Sequence, residues 1–353
     1  MPFGAGCDCF EFIIFAFEKP DRMKQLIEAF PAHILESLEI ASKVSLSRTI
    51  ENPVHNIVIC GMGGSGIGGK LVSQWIVDDV KVPVLLLNDY DLPAFVNKHT
   101  LVIGSSYSGN TEETLEAIEE AKERGAHIIG ICSGGQLQAF CAEHRFDCIT
   151  VPGGNPPRAA LAYSLIQLVQ ILTTLGLVRD GMLNEVRSAQ ALLVQESASL
   201  KEQGKEMAQF ILGKVVIVFS DPYYEGVAIR ARQQFNENSK LIGWTSVIPE
   251  MNHNELIGWG GGDARFAPVF LQTGDMNPRN QRRYEITKET IEKKAGASFE
   301  AVAKGNGRIE KSLYLIHLVD WASWYLSDLK GVDAMDIEII DYLKGELANF
   351  QHS

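Results

Sequence analysis

The apolar run Asn56–Cys60 passes without a break into Gly61-Met62-Gly63-Gly64-Ser65-Gly66-Ile67-Gly68-Gly69, and from there into Leu71, Val72, Trp75 and Ile76 at helical spacing. A strand that ends in a glycine turn and opens a helix is the first half of a βα unit, which narrows the folds open to the chain. Strand-like runs recur at 82–87, Thr100–Ser105, His127–Cys132 and 147–151, with a helix expected over about 112–124. These runs are near-continuously apolar, as parallel strands covered on both faces require. Parallel strands are joined by right-handed crossovers, so the expectation is a doubly wound α/β sheet with helices on both sides.

A second alternation follows. Residues 158–211 are expected to be helical in several pieces. Strands are then expected over 214–219, 265–271 and 298–303, and helices over 224–236, 279–293, 308–329 and 336–349. Ahead of the first strand, Leu26, Ile27, Phe30, Ile34, Leu35, Leu38 and Ile40 recur at mostly helical spacing within 23–43. The chain therefore reads as two tandem α/β domains, each a parallel sheet flanked by helices. The first is expected over 23–180 and the second over 212–353, with a helical connection at 181–211. Residues 1–22 cluster Gly, Cys and Phe without a period and read as an extension, either genuine or a misread start. No residue-level repeat relates the two halves.

Of 353 residues, 44 are acidic and 32 basic, a formal net charge of -12, and 46% are apolar. That apolar share fills cores and disfavours disorder. The acid excess argues against a nucleic-acid partner, which calls for a basic stripe. It leaves room for a small anion, because backbone N–H groups hold phosphate without any basic surface. The six cysteines include no C-x-x-C pair, which fits a reducing compartment and no disulfide framework. Cys60 and Cys132 sit in apolar runs and read as small buried hydrophobes. No apolar stretch is long enough to span a membrane, and no basic leader with a small-residue cleavage site opens the sequence. The expectation is a cytoplasmic protein with no membrane partner.

The glycine turn has more than one reading. Gly61, Gly63 and Gly66 formally satisfy G-x-G-x-x-G, and Asp89 follows the second strand, which raises a dinucleotide site. Asp89 falls later than the usual spacing of about 20 residues. A P-loop is excluded, because Gly69-Lys70 is followed by Leu71. The structural alternative is that the glycines only permit a tight strand-to-helix turn.

A second polar turn, Ser105-Ser106-Tyr107-Ser108-Gly109-Asn110-Thr111-Glu112-Glu113-Thr114, follows the third strand. Hydroxyls at Ser106, Ser108 and Thr111, with free N–H groups at a helix start, suit a phosphate monoester. Asn110 with Glu113 three residues on also matches a helix-capping pattern, so capping alone is the alternative. A dinucleotide fold has no need of a second phosphate cradle here.

This second turn resembles the phosphate loop of sugar isomerase (SIS) domains. Together with Gly61 to Gly69, Pro156-Pro157-Arg158-Ala159-Ala160 and Asn252-His253-Asn254-Glu255, it resembles the bifunctional phosphoglucose/phosphomannose isomerases of archaea and bacteria. The resemblance runs from about residue 25 to 349. It implies two SIS domains and a homodimer with active sites near the subunit interface. It further implies a metal-independent aldose–ketose isomerase that interconverts glucose 6-phosphate or mannose 6-phosphate with fructose 6-phosphate through a cis-enediolate, without a cofactor.

Such a reaction needs an anchored phosphate, an opened ring, a base between C2 and C1, and positive charge near the enediolate. The resemblance assigns the phosphate to Gly64, Ser65, Ser106, Ser108 and Thr111. It makes Glu237, in Gln234-Phe235-Asn236-Glu237-Asn238-Ser239-Lys240, the proton shuttle. It gives ring opening to His253, supplied by the neighbouring subunit, and to Lys344. Arg158 becomes the stabiliser of the enediolate. A guanidinium at a helix start runs against the helix dipole, which is a local hint of function at Arg158. Read singly, Glu237 is a helix-terminal glutamate, His253 a structural histidine, Arg158 a surface ion-pair residue and Lys344 a solvated helix lysine. Asn252 and Asn254 suit a turn or cap, and Glu255 a supporting or interface position.

One departure concerns the stretch before the last helix. The family often carries a threonine there, in a D-P-T-P-like context linked to sugars of either C2 configuration. This chain has Asp333-Ala334-Met335-Asp336-Ile337. That places mannose 6-phosphate activity in more doubt than glucose 6-phosphate activity. No metal motif is visible, since the histidines are scattered and no H-E-x-x-H or Cys/His cluster occurs. The rival classes are a non-catalytic sugar-phosphate sensor, which keeps the cradle but need not keep Glu237 with His253, and a dinucleotide-dependent oxidoreductase.

Overall fold

The computed structural model describes residues 21–46, 50 and 52–350. The expected N-terminal extension, with Cys7 and Cys9, lies outside the described residues except for its last two positions.

Helices α1 (Arg22–Glu28) and α2 (Phe30–Ala41) precede the first sheet. The helix expected over 23–43 thus divides at Ala29, where Pro31 enters the first turn of α2. The first unit then alternates β1 (Asn56–Cys60), α3 (Gly63–Trp75), β2 (Val84–Leu87), β3 (Thr100–Ser105), α4 (Glu112–Glu123), β4 (His127–Cys132), α5 (Gly135–His144) and β5 (Asp147–Thr150). Three helices follow, α6 (Leu161–Thr174), α7 (Met182–Gln195) and α8 (Ser197–Ile211). The second unit runs β6 (Val215–Ser220), α9 (Glu225–Glu237), β7 (Gly243–Val247), α10 (Glu255–Gly258), β8 (Phe266–Gln272), α11 (Pro278–Ala295), β9 (Phe299–Val302), α12 (Arg308–Lys330) and α13 (Glu338–Ala348).

Every described strand pairing is parallel. The five-stranded sheet has the order β2-β1-β3-β4-β5 and the four-stranded sheet the order β7-β6-β8-β9. The alternation of side chains along a strand explains the continuous apolar runs. In β1, Ile57 and Ile59 face a core shared by both units, while Val58 and Cys60 face an outer core beneath α4 and α5. β6 repeats this arrangement, with Val216 and Val218 inward and Ile217 and Phe219 in the outer core beneath α11. The shared core is threaded by α12, whose residues are buried on all sides, as a helix that is hydrophobic all round must be.

Three elements escaped the sequence reading. α5 buries only Leu137 and Cys141, too few for a visible stripe. β7 is an edge strand, GWTSV, with Trp244 exposed. α10 is a single turn. Cys60 and Cys132 are buried, as expected, and burial pushes the Cys60 thiol up to about 12. Among the described residues no helix is long and apolar enough to cross a membrane.

Candidate active site

In the five-stranded sheet the chain moves from β1 to its neighbour β2 and then returns to the opposite side of β1 as β3. The turns leaving β1 and β3 therefore diverge at a topological switch point, where ligands of open α/β sheets bind. At this place the two polar turns of the sequence meet. Gly61 has no room for a side chain, because a Cβ there would lie 2.7 Å from the Ser105 carbonyl oxygen. Gly63 takes a positive φ of 48° as α3 begins.

The hydroxyls are tied to the backbone of one loop, and those of Ser106 and Thr111 touch directly. Ser65 is buried in the first turn of α3, and its Oγ accepts from Tyr107 N at 3.1 Å. Ser106 Oγ lies 2.8 Å from Thr111 Oγ1 and accepts from Gly109 N at 3.1 Å. Ser108 Oγ accepts from Asn110 N at 3.2 Å. Tyr107 fixes the loop from behind: its carbonyl accepts from Ser133 Oγ at 2.7 Å, and its hydroxyl donates to the Pro152 carbonyl at 2.9 Å. α3 and α4 both start without a side-chain cap, which leaves first-turn N–H groups available to an anion. The Asn110–Glu113 capping pattern does not form. Asn110 Oδ1 instead accepts from Gln136 N at 3.0 Å, at the start of α5.

The glycine turn also touches the Arg158 segment. A Cβ on Gly64 would lie 2.9 Å from the Pro157 carbonyl oxygen, so α3 presses directly on the single-turn helix Pro157–Ala159. Arg158 is 3% exposed. Its Nη1 donates to Glu237 Oε2 at 3.3 Å, its Nε to Asn238 Oδ1 at 2.8 Å and its Nη2 to the Ala334 carbonyl at 2.6 Å. Burial lowers the guanidinium's affinity for its proton, and the neighbouring Glu237 opposes that. Arg158 is therefore a buried residue of the interior rather than a surface ion pair. Glu237 is the last residue of α9, with its side chain 30% exposed, so its carboxylate is both held by Arg158 and reachable.

A deeper layer, missed in the sequence, holds this pair. Arg230 Nη2 donates to the Arg158 carbonyl at 2.7 Å and to both Asp320 oxygens at 3.1 Å. Gln234 Nε2 donates to Asp320 Oδ1 at 2.7 Å. Burial raises the Asp320 pKa, and Arg230 opposes the shift. Lys240 Nζ donates to the carbonyls of Glu237 at 2.5 Å, Asp333 at 2.9 Å and Asp336 at 2.8 Å. The stretch that lacks the family threonine thus lies directly on the Arg158–Glu237 pair. The available signal was polar residues in apolar surroundings: Arg230 on a helix with a buried face, and Asp320 in the middle of α12.

Two expected residues form no hydrogen bond or ion pair with this cluster among the described residues. His253 ends the single-turn helix Glu250–His253 after β7; it is exposed and bonds to no described residue. Lys344 is exposed on α13 and has no hydrogen-bond or ion-pair partner among the described residues. Around His253, Asn252 Nδ2 donates to Thr287 Oγ1 at 2.7 Å, and Asn254 Oδ1 caps α10 through Glu255 N at 2.5 Å. Glu255 Oε2 accepts from Ser246 Oγ at 2.5 Å. Among the described residues no group of three or more His, Cys, Asp or Glu is placed to hold a metal ion.

The third glycine of the G-x-G-x-x-G pattern has a packing reason. A Cβ on Gly66 would lie 2.5 Å from the Gly61 carbonyl oxygen and 2.7 Å from Asn88 Nδ2, which donates to that carbonyl. Asp89 Oδ1 accepts from Tyr90 N at 2.9 Å, within its own turn.

Comparison with known proteins bears on the fold and the family. Residues 52–167 match the SIS domain, and residues 200–347 match the bacterial phospho-glucose isomerase C-terminal SIS domain. The C-terminal domain of glucosamine-fructose-6-phosphate aminotransferase from Francisella tularensis shares the fold. It superposes with a TM-score of 0.72 at 16% identity, over 90% of this chain and 98% of that one. The bifunctional phosphoglucose/phosphomannose isomerase of Aquifex aeolicus is 38% identical over 84% of this chain and 91% of its own length. That of Caldicellulosiruptor bescii is 36% identical over 93% of this chain and the whole of its own. Two SIS units in this order, matched along nearly their full length, place the chain in the bifunctional phosphoglucose/phosphomannose isomerase family.

Proposed function

We propose that the protein is an aldose–ketose isomerase that interconverts glucose 6-phosphate, and mannose 6-phosphate, with fructose 6-phosphate through a cis-enediolate, without a metal or organic cofactor. The observation that carries this reading is the Arg158–Glu237 contact of 3.3 Å, set beneath the glycine turn that also supplies Ser65 to the hydroxyl cradle. Ser65, Ser106, Ser108 and Thr111, with the Gly64 backbone, hold the 6-phosphate. The sugar then extends toward the end of α9. Glu237 takes the proton from C2 of the open-chain aldose and returns it to C1. Arg158 sits where negative charge grows on the enediolate oxygens, already oriented by Asn238 and Ala334, so it needs no rearrangement as the charge develops.

Ring opening falls to His253 and Lys344, neither of which forms a hydrogen bond or ion pair with Arg158 or Glu237 within the described chain. A homodimer in which His253 serves the neighbouring site resolves this. α13 supports an assembly, because Ile339, Tyr342, Leu343 and Leu347 all stand exposed on it. A coupled assay with each sugar phosphate, run in EDTA on folded protein, tests the reading. Turnover of at least one aldose phosphate is expected, and no turnover of either overturns it. Retained binding of fructose 6-phosphate without turnover would instead mark a sensor.

A further inference from the structure

A cavity of about 430 Å³ opens on the other side of the glycine turn. Its lining includes Gly63 and Lys70 of α3, Asn88 after β2, and Arg232 and Gln233 of α9. Because β1 lies between β2 and β3, this cavity and the hydroxyl cradle are on opposite sides of the start of α3. We propose that it is a second anion-binding site, taking a phosphate-bearing anion, with Arg232 as its principal ligand.

Three observations lead there. First, the chain carries 44 acidic and 32 basic residues, yet both charged residues lining this cavity, Lys70 and Arg232, are cations. Second, Arg232 is partly buried and has no hydrogen-bond or ion-pair partner among the described residues, whereas Arg158 and Arg230, also in the interior, each pair with a carboxylate, Glu237 and Asp320 respectively. A guanidinium lining a cavity without a counter-charge keeps its forked donors free for an anion. Third, neutral donors face the same space. The Gln233 amide makes no hydrogen bond among the described residues, and α3 starts without a side-chain cap at Met62, so the Gly63 N–H is available. Lys70 is partly compensated by Glu225 at 2.6 Å and contributes second. The volume lies in the range of about 300–1,000 Å³ of small-molecule sites.

The walls belong to both units. Gly63 and Lys70 lie on the helix that begins the cradle, and Gln233 lies one turn before Glu237 on α9. An anion there ties the cradle's helix to the helix that carries the proposed base.

The test uses the full-length protein with its cradle disabled by Ser106→Ala and Thr111→Val, titrated calorimetrically with inorganic pyrophosphate and, separately, with adenosine diphosphate. One site per chain is expected, weakened at least about ten-fold by Arg232→Gln and largely restored by Arg232→Lys. Tighter binding of pyrophosphate identifies a free inorganic ligand, and tighter binding of the nucleotide an organic one. No binding by cradle-disabled protein with an unchanged thermal midpoint overturns the proposal, as does binding indifferent to Arg232→Gln. If that variant does not fold, phenylglyoxal labelling of Arg232 in the unmodified protein decides. Pyrophosphate should slow it, and unchanged labelling overturns the site. These readouts are of binding, so they stand or fall separately from the isomerase assay.

Discussion

Arg158 Nη1 and Glu237 Oε2 lie 3.3 Å apart, with the guanidinium in the first unit buried and the carboxylate at the end of α9 in the second unit partly exposed to solvent. The contact is one of several polar links between the two SIS units, and it sets the proposed base next to the positive charge that its own reaction requires. Glu237→Gln keeps a group that Arg158 can donate to but removes the proton acceptor. We expect kcat to fall by about 10²–10⁴-fold while fructose 6-phosphate binding is retained. Steady-state kinetics and calorimetry check this, and near-normal turnover would remove Glu237 from its role.

The cradle should govern affinity more than chemistry. Ser106 Oγ contacts Thr111 Oγ1 and the Gly109 N–H, which hold the hydroxyl in place. Ser106→Ala deletes one phosphate hydrogen bond of a charge-assisted kind, worth roughly 1.5–3 kcal/mol. The expected result is KM raised by about 10- to 100-fold with kcat changed much less. An equal fall in kcat with KM unaltered would count against a phosphate role.

Much of this was legible in the sequence, and the exceptions have physical causes. The strands of both sheets are apolar on two faces because each lies between the shared core and an outer one, so they announced themselves. β7 is an edge strand and α5 a nearly exposed helix, so neither left a clean period. At the site, the glycine and serine turns were readable because tight strand-to-helix turns that carry hydroxyls need those residue types close together in sequence. Arg230, Asp320 and Lys240 act through partners 72 to 96 residues away, and no local pattern encodes that. His253 and Lys344 were assigned only through the family resemblance, and within one chain they do not join Arg158.

The segment 333–336 is held against the site by Arg158 on Ala334 and by Lys240 on Asp333 and Asp336. Met335 lies inside it and offers no hydroxyl. If a threonine there helps the site accept both C2 configurations, Met335→Thr should raise the ratio of mannose 6-phosphate to glucose 6-phosphate turnover. A several-fold change is expected, since one hydrogen bond contributes about 0.5–1.5 kcal/mol. An unchanged ratio in parallel assays of both sugars would show that configuration is handled elsewhere.

His317 supplies a pH dependence of stability remote from catalysis. It is buried in α12, its Nε2 lies 3.1 Å from the Ile27 carbonyl, and burial depresses its pKa from 6.5 to about 4. A folded state that binds its proton less readily than the unfolded state loses stability as pH falls. The contribution is complete above about pH 6.5 and is lost between there and about pH 4, up to roughly 3 kcal/mol. Denaturant midpoints measured from pH 7 to pH 4 should fall, and His317→Gln should flatten that slope. A slope unchanged by the substitution assigns the acid sensitivity to other groups.

The shared-site reading makes its own demand. If each site takes Glu237 from one chain and His253 from its partner, two inactive variants must rescue each other. Glu237→Gln and His253→Ala subunits, unfolded and refolded together in equal amounts, give mixed dimers with one complete site and one doubly defective site. Half of the dimers are mixed and each has one of two sites intact, so about a quarter of native activity is expected. Each variant refolded alone should stay near its own low value. If both residues serve the same chain's site, every site in the mixture lacks one of them and no activity returns. Mixing therefore separates the two arrangements, and it requires only that the variants fold and pair.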